Sequence, residues 1–348
     1  MNDLISIVVP VYKAEAFITN LIDDVLAQTY QNWELILVSN GPNSEKQEEI
    51  CRRYALVDKR IKLLISNRPG TAIARNRGIE IAKGEWLTFL DDDDRIESTH
   101  LQRYIDAVEN NVDMIIGGFT ECFQDGKETL HSMEPHNSFI EGPAFYDYLL
   151  SCHTYLQGMV WNKLYKTESI QKSGIRLREN IRNIDDMVFN YELYLHHFSI
   201  KTIPVTGYKY IRRYDSTLGR YAPSLDSSYR VFRNLYKEVC KLAGYTNNRI
   251  DQIIMTRKYT DTYIFIINLF RPNCSYTFAE KVKYVEKLLN DNEFIRSKVL
   301  QDKHTHKINL KIFRFLVMTR SPFCVSFFYT ILFQMREIYF YLRHKILM

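Results

Sequence analysis

The sequence predicts an α/β fold: a doubly wound, mostly parallel sheet followed by a helical C-terminal region. Three observations carry that expectation. Short apolar runs such as Leu4–Val9 read as strands buried on both faces. Amphipathic segments with helical spacing separate them, and such alternation implies βαβ crossovers. Beyond about residue 220 the pattern becomes helical throughout.

The elements follow in order. After Leu4–Val9, Ala16–Gln28 is a helix with Phe17, Leu21, Ile22, Val25 and Leu26 on one face. Trp33–Val38 is a second strand, and Ser44–Val57 a second helix with Ser44 placed to cap it. Ile61–Ile65 and Thr71–Lys83 repeat the unit, and Trp86–Leu90 is a fourth strand. Phe119–His136 reads as a hairpin or loop around Asp125-Gly126. Helices are expected near Pro143–Cys152 and Asp186–Phe198, with a strand near Ile200–Ile211. Tyr229–Leu242, Ile250–Leu269 and Phe278–Leu289 are long amphipathic helices. The expected division is a first domain over residues 1–220 and a helical region over 221–348.

Composition narrows the function. With 46% hydrophobic and 25% charged residues, the chain is not mostly disordered. A formal charge of +5 over 348 residues is too small to indicate a nucleic-acid binder. Six cysteines without a C-x-x-C pair argue against a disulfide framework or structural zinc and favour a reducing compartment. The N-terminus has Asp3 where a signal peptide carries positive charge, so the first domain is expected to be cytoplasmic.

The basic excess is concentrated. Residues 296–348 hold ten Lys or Arg against Asp302 and Glu337. Within them, Ser321–Met335 is uncharged and aromatic-rich, flanked by Arg320 and Arg336. One reading is a segment lying at an anionic membrane surface, too short to span it. The other is a helix packed on the first domain with a solvated basic face.

The most informative stretch is Asp91-Asp92-Asp93-Asp94, directly after a buried strand. Adjacent like charges there call for a cationic partner, and hard carboxylate oxygens suit Mg²⁺ or Mn²⁺ shared with substrate phosphates. A second acidic pair, Asp185-Asp186, stands before an apolar run, as at a helix N-terminus. A metal-bound diphosphate beside a separate carboxylate points to group transfer from a nucleotide.

The residues also carry a resemblance. Ser6–Ile18, Gln28-Thr29-Tyr30 with Trp33–Ile36, and Asn67–Gly70 with Ala74–Ile79 resemble successive motifs of the family-2 glycosyltransferases of the GT-A fold. Gly84–Asp94 resembles that family's D-x-D segment, and Trp161–Lys166 with Gly174–Arg176 its acceptor-side motif. Asp185-Asp186 stands where the family has an acidic pair. The resemblance spans roughly residues 4–220 and implies inverting transfer of a hexose or N-acetylhexosamine from a nucleotide-sugar.

It also implies roles. Pro10 and Tyr12 would line the base and ribose pocket, with Arg75 near the nucleotide and Asp91, beside Asp92, reaching the ribose. Asp93 would hold Mn²⁺ or Mg²⁺. Asp186 would be the base, with Asp185 the alternative. Trp161, Asn162 and Lys163 would lie on the acceptor side, and Arg212, Arg213 and Ser216 would close over the phosphates. The acceptor would be a growing, lipid-linked surface glycan at the inner face of the cytoplasmic membrane. One departure stands out: Ser39-Asn40 replaces an acidic pair whose second member commonly meets uracil. Asn40 could accept that hydrogen bond, but an amide can also donate. A UDP-sugar is the expected donor. Two competing classes are a non-catalytic sugar-nucleotide or glycan binder and a metal-dependent nucleotidyltransferase. No Gly-rich phosphate loop with a Lys follows the first strand to favour the latter.

Overall fold

The computed structural model describes residues 3–42, 44–181, 183–213, 221–291 and 308–346. Four parallel strands are built as the alternation predicts: β1 (Ile5–Val11), β2 (Trp33–Asn40), β3 (Ile61–Ser66) and β4 (Trp86–Phe89). They are linked by α1 (Ile18–Leu26), α2 (Glu45–Val57) and α3 (Thr71–Ile81). Every residue of β1 and β2 is buried, which is why both read as continuous apolar runs. Gly78 sets the approach of α3 to the sheet: a Cβ there would lie 2.2 Å from Val8 Cγ1. Only a glycine fits at that spacing.

The next segment comprises β5 (Arg95–Ile96), α4 (His100–Ile105), β6 (Met114–Cys122), β7 (Glu128–His131), α5 (Ser138–Glu141), α6 (Pro143–Ser151) and α7 (Thr154–Gly158). β8 (Lys163–Lys166), α8 (Thr167–Ser173), α9 (Asp185–Leu195) and β9 (Ile200–Ile211) complete it. Among the described residues, all nine strands form one mixed sheet in the order β3-β2-β1-β4-β8-β6-β9-β5, with β7 on β6. β8 is inserted antiparallel between β4 and β6, while β6 and β9 are parallel. The β6–β7 hairpin turns at Gly126, at φ +84°, where the sequence places it.

Helices α10 (Leu225–Leu242), α11 (Asn247–Leu269), α12 (Phe278–Leu289), α13 (Ile308–Met318) and α14 (Pro322–Ile346) follow. The chain clusters into two compact units, Met1–Arg213 with Asn234–Gly244, and Tyr214–Arg233 with Tyr245–Met348. The second unit has its own apolar core. Tyr259, Ile266 and Leu269 of α11 and Phe270 at its C-cap meet Val285 of α12, Phe313, Leu316 and Val317 of α13, and Val325 and Tyr329 of α14. Among the described residues, no helix is long and apolar enough to cross a membrane.

Candidate active site

The ends of β1, β2 and β4, helix α3 and the first turn of α9 supply the site, at the C-terminal edge of the parallel strands. The run Asp91–Asp94 divides into two pairs. Asp92 Oδ2 accepts the Tyr12 backbone N–H at 2.8 Å. Asp94, 2% exposed, accepts the Tyr208 hydroxyl at 2.6 Å and the Ile211 N–H at 2.8 Å. These two tie the loop to β1 and β9. Burial pushes the Asp92 carboxyl up to about 8 against the opposing Tyr12 N–H, and raises Asp94 well above the carboxylate range. The other two side chains, Asp91 at 28% and Asp93 at 39% exposure, face outward.

Arg75 joins the acidic loop to α9. Its guanidinium is buried and forks: Nη2 donates to Asp91 Oδ1 at 2.7 Å, and Nη1 donates to Asp186 and lies 3.7 Å from Asp185 Oδ2. Burial opposes the charge, but the three carboxylates outweigh it and raise the Arg75 pKa. Two neighbours in its motif are structural. Ala74 is fully buried, and Asn76 exchanges hydrogen bonds with the Leu177 backbone at 2.8 and 3.0 Å.

Asp186 lies in the first turn of α9, where the helix dipole favours a carboxylate. Burial nevertheless pushes its carboxyl up to about 7, with Arg75 opposing and Asp185 and Asp91 adding to the rise. A carboxylate poised there exchanges protons near neutrality, as a general base must. The helix behind it is fixed by Asn190, which accepts from the Tyr165 hydroxyl at 2.8 Å and donates to Gly158 O at 2.7 Å.

On the other flank, Pro10 is buried in β1 and Tyr12 is 39% exposed. A Cβ on Gly41 would lie 2.7 Å from the Tyr12 ring, so the glycine, at φ +111°, keeps room for it. Asn40 is buried, and its Nδ2 donates to Gly70 O at 2.8 Å while its Oδ1 has no hydrogen-bond partner. The Gly70 carbonyl therefore fixes the amide orientation, because a flipped amide would set two acceptors together. Asn40 is left as an acceptor, as a carboxylate would be. Ser39 turns the other way, donating to Glu48 Oε1 at 3.1 Å and accepting from Gln47 at 3.2 Å.

The expected acceptor-side residues lie inside the fold. Trp161, Asn162 and Lys163 are 2%, 0% and 0% exposed, so they support the site from beneath and present no surface to an acceptor. Trp161 stacks on Tyr208 and Tyr210 at 4.5 and 5.6 Å between ring centroids. Asn162 donates to Gly117 O at 3.0 Å. Lys163 Nζ donates to Leu156 O at 3.0 Å, Met159 O at 2.5 Å and Asn162 Oδ1 at 2.9 Å. Burial lowers its pKa, while three acceptors and the Asp186 charge favour the ammonium.

The phosphate-side residues separate. Arg213 holds Asp93, donating to Oδ2 at 3.0 Å and to its backbone carbonyl, and lies over the Phe17 ring at 3.6 Å. Arg212 pairs instead with Glu121 and the Tyr155 hydroxyl. Both arginines follow the end of β9 at Ile211, and each is drawn to a different carboxylate. Ser216 lies outside the described residues. Residues that sequence reasoning did not assign to the site are Tyr208 and Gln47. The alternation of Tyr208 with Tyr210 was the visible signal for the first. Gln47 Nε2 donates to Val11 O at 3.0 Å and its Oε1 accepts the Ala14 N–H at 3.1 Å, bracing the β1–α1 loop.

Residues 6–173 match the family described as Glycosyl transferase family 2. The chain belongs to that family. The transferase is 26% identical over 301 residues to the putative glycosyltransferase EpsH of Bacillus subtilis, covering 84% of this chain and 85% of EpsH. It is 32% identical over 229 residues to the uncharacterized glycosyltransferase EpsJ of the same organism, covering 65% of this chain and 66% of EpsJ. Among solved structures it is similar to Staphylococcus aureus TarS 1–349 in complex with UDP, at 18% identity and a TM-score of 0.57. That likeness covers 92% of this chain and 89% of the TarS 1–349 chain and shows a shared GT-A-like fold. The transferase is thus a nucleotide-sugar glycosyltransferase of family 2, similar to other bacterial glycosyltransferases.

The resemblance implies a divalent metal at the acidic loop. Among the described residues no three His, Cys, Asp or Glu side chains cluster as a complete cage. The outward carboxylates of Asp91 and Asp93 instead suit a hard cation held by one or two protein oxygens and completed by a diphosphate.

Proposed function

We propose that the transferase moves a sugar from a UDP-sugar to a hydroxyl of a growing, lipid-linked glycan, with inversion at the anomeric carbon. The observation that carries this is the fork of Arg75, which sets the donor-side carboxylate Asp91 and the basic carboxylate Asp186 on one guanidinium. Tyr12 offers a ring to the base, and Asn40 Oδ1 offers an acceptor that a uracil N–H would satisfy. The solved structures of TarS with UDP and with UDP-GlcNAc support uridine as the base.

In this reading Asp186 takes the acceptor hydroxyl proton as the new oxygen–carbon bond forms, with Asp185 the alternative base. The bond from the anomeric carbon to the diphosphate breaks, and the nucleoside diphosphate leaves with the electron pair. Mn²⁺ or Mg²⁺, held by Asp93 with Asp91 beside it, would supply charge neutralisation for that leaving group. Arg213, already on Asp93, is placed to exchange its carboxylate for phosphate oxygens. A positioned base contributes roughly 10²–10⁴-fold.

The deciding experiment is a panel of nucleotide-sugars with Mn²⁺ or Mg²⁺, read by nucleoside diphosphate release and by thermal shift. UDP release with at least one UDP-sugar supports the reading. Pyrophosphate release would mark nucleotidyl transfer instead. Binding without turnover across a glycan acceptor panel would mark a non-catalytic binder.

A further inference from the structure

The second unit carries an apolar face that transfer chemistry does not use. Helix α14 is apolar on two sides. Val325 and Tyr329 face inward, at 0% and 2% exposure, and complete the core with α11, α12 and α13. Phe323, Phe327, Ile331 and Met335 recur at every fourth residue and are 56%, 51%, 40% and 64% exposed. That spacing puts them on one stripe of the helix. The Phe323 and Phe327 rings stack at 6.0 Å, and Phe278 meets Phe323 edge-on at 5.6 Å. On α13, Phe315 and Met318 are 71% and 66% exposed. Scattered exposed apolar residues are ordinary, but a stacked aromatic stripe held rigid by a core on its other side is not.

Charge selects the occupant. From residue 303 to residue 336 the sequence has no Asp or Glu. Lys311, on α13, and Arg320, at the α13–α14 turn three residues before Phe323, are exposed. A second copy of the chain docking here about a two-fold axis would bring basic residues against basic residues. A surface with negative charge over an apolar interior meets both features at once. A lipid leaflet has that chemistry.

We propose that α13 and α14 form a membrane-docking face that lies in the interface of an anionic bilayer, with Phe323, Phe327, Ile331 and Met335 entering the acyl boundary and Lys311 and Arg320 at the headgroups. The face holds the enzyme on the leaflet without spanning it. The proposal is independent of donor and acceptor, and its test needs neither.

The test uses the full chain and sized vesicles of phosphatidylcholine alone or with phosphatidylglycerol. Wild type should co-sediment with the anionic vesicles, bind neutral ones far less, and dissociate as salt rises. The exposed double variant F323S/F327S should bind roughly tenfold more weakly or worse, with an unchanged circular dichroism melt. Leu56→Ser, which removes an 86%-exposed residue of the first unit, should bind as wild type. A second readout does not depend on truncation. Trp33, Trp86 and Trp161 are all 2% exposed or less, so F327W adds the one tryptophan placed to sense lipid. Its emission should shift to the blue on anionic vesicles and be quenched by brominated acyl chains. Wild type remaining in the supernatant would overturn the proposal. So would F323S/F327S binding as wild type, an unshifted F327W, or a stable dimer that the double variant dissolves without vesicle binding.

Discussion

Replacing Arg75 with Met tests how the buried fork sets the basicity of Asp186. Two unit charges about 4 Å apart at an effective dielectric of about 20 interact by about 4 kcal/mol, or about three pK units. Lys163 and entering water offset part of that loss. We therefore expect the Asp186 carboxyl to rise by about one to two units from about 7. The base works only when deprotonated. In the wild type kcat/KM should rise with pH through about 7 and level off above it. In R75M the same limb should move to about pH 8–9. At about pH 7.5 the deprotonated fraction falls from roughly three-quarters to between a quarter and a few per cent, a roughly 3- to 25-fold loss. At high pH that part of the loss should recover, leaving a lower plateau from weakened donor binding through Asp91.

The assay is the pH dependence of kcat/KM from nucleoside diphosphate release, with R75K as companion. Lys keeps a charge but cannot fork, so R75K should hold the limb near its wild-type position while donor KM rises. Linkage gives a second check. Because the folded state raises the Asp186 pKa, it binds that proton more tightly than the unfolded chain. The resulting stabilisation is present at acid pH and is lost as pH rises through about 7. Removing Arg75 raises that pKa further, so the stability deficit of R75M should be larger at pH 8 than at pH 6. A limb in R75M that stayed near 7 or moved to lower pH would refute the electrostatic assignment.

Other outcomes follow from the same geometry. Asp186→Asn should lower kcat by roughly 10²–10⁴-fold and leave donor affinity, measured by calorimetry with UDP, within about twofold of wild type. Asp93→Ala should lower activity and metal-dependent UDP binding together; retention of either at the wild-type level would remove Asp93 from the donor site. Asn40→Leu should weaken uridine diphosphate binding by roughly tenfold and narrow the preference between nucleotide bases, measured by competition. Gly78→Ala should cost about 1–3 kcal/mol by denaturant unfolding, because its Cβ meets Val8. Adding Val8→Ala should recover part of that loss, giving a favourable coupling in the double-mutant cycle.

The parallel half of the sheet was legible because each strand is a short buried apolar run and each crossover is a helix long enough to show its period. The mixed half was harder. β5 has two residues and β8 four, too few for any period, and their antiparallel places depend on partners distant in sequence. Within the site, the acidic run and Asp185-Asp186 stood out from charge and position alone. Their division of labour did not. Asp92 and Asp94 turn inward because Tyr12, Tyr208 and Ile211 supply donors from strands more than eighty residues away in two of the three cases. Asn162 and Lys163, which the resemblance assigns to the acceptor side, are buried. A lysine is ordinarily at the surface, and only the carbonyls of Leu156 and Met159 and the Asn162 amide make its burial tolerable.

The departure at Ser39-Asn40 now has a physical reading. The site gathers six carboxylates, Asp91–Asp94 with Asp185 and Asp186, around Arg75, Arg213 and Lys163. Two further acids at the end of β2 would add like charge to a cluster that already relies on burial-raised carboxyls. Ser39 is absorbed by α2, where its hydroxyl completes the Gln47 and Glu48 network without charge. In the proposed function Asn40 would keep the one property that base recognition needs, an acceptor of fixed direction, because Gly70 uses its donor. Gly70 also begins α3, the helix that carries Arg75. The Asn40 amide and the Arg75 guanidinium, which the proposed function assigns to base recognition and to joining Asp91 with Asp186, are therefore set by the same helix start. Hence a change at Asn40 should be felt at Arg75 through Gly70, and an Asn40→Asp variant, with a carboxylate facing the Gly70 carbonyl, should disturb both donor binding and the pH limb set by Asp186.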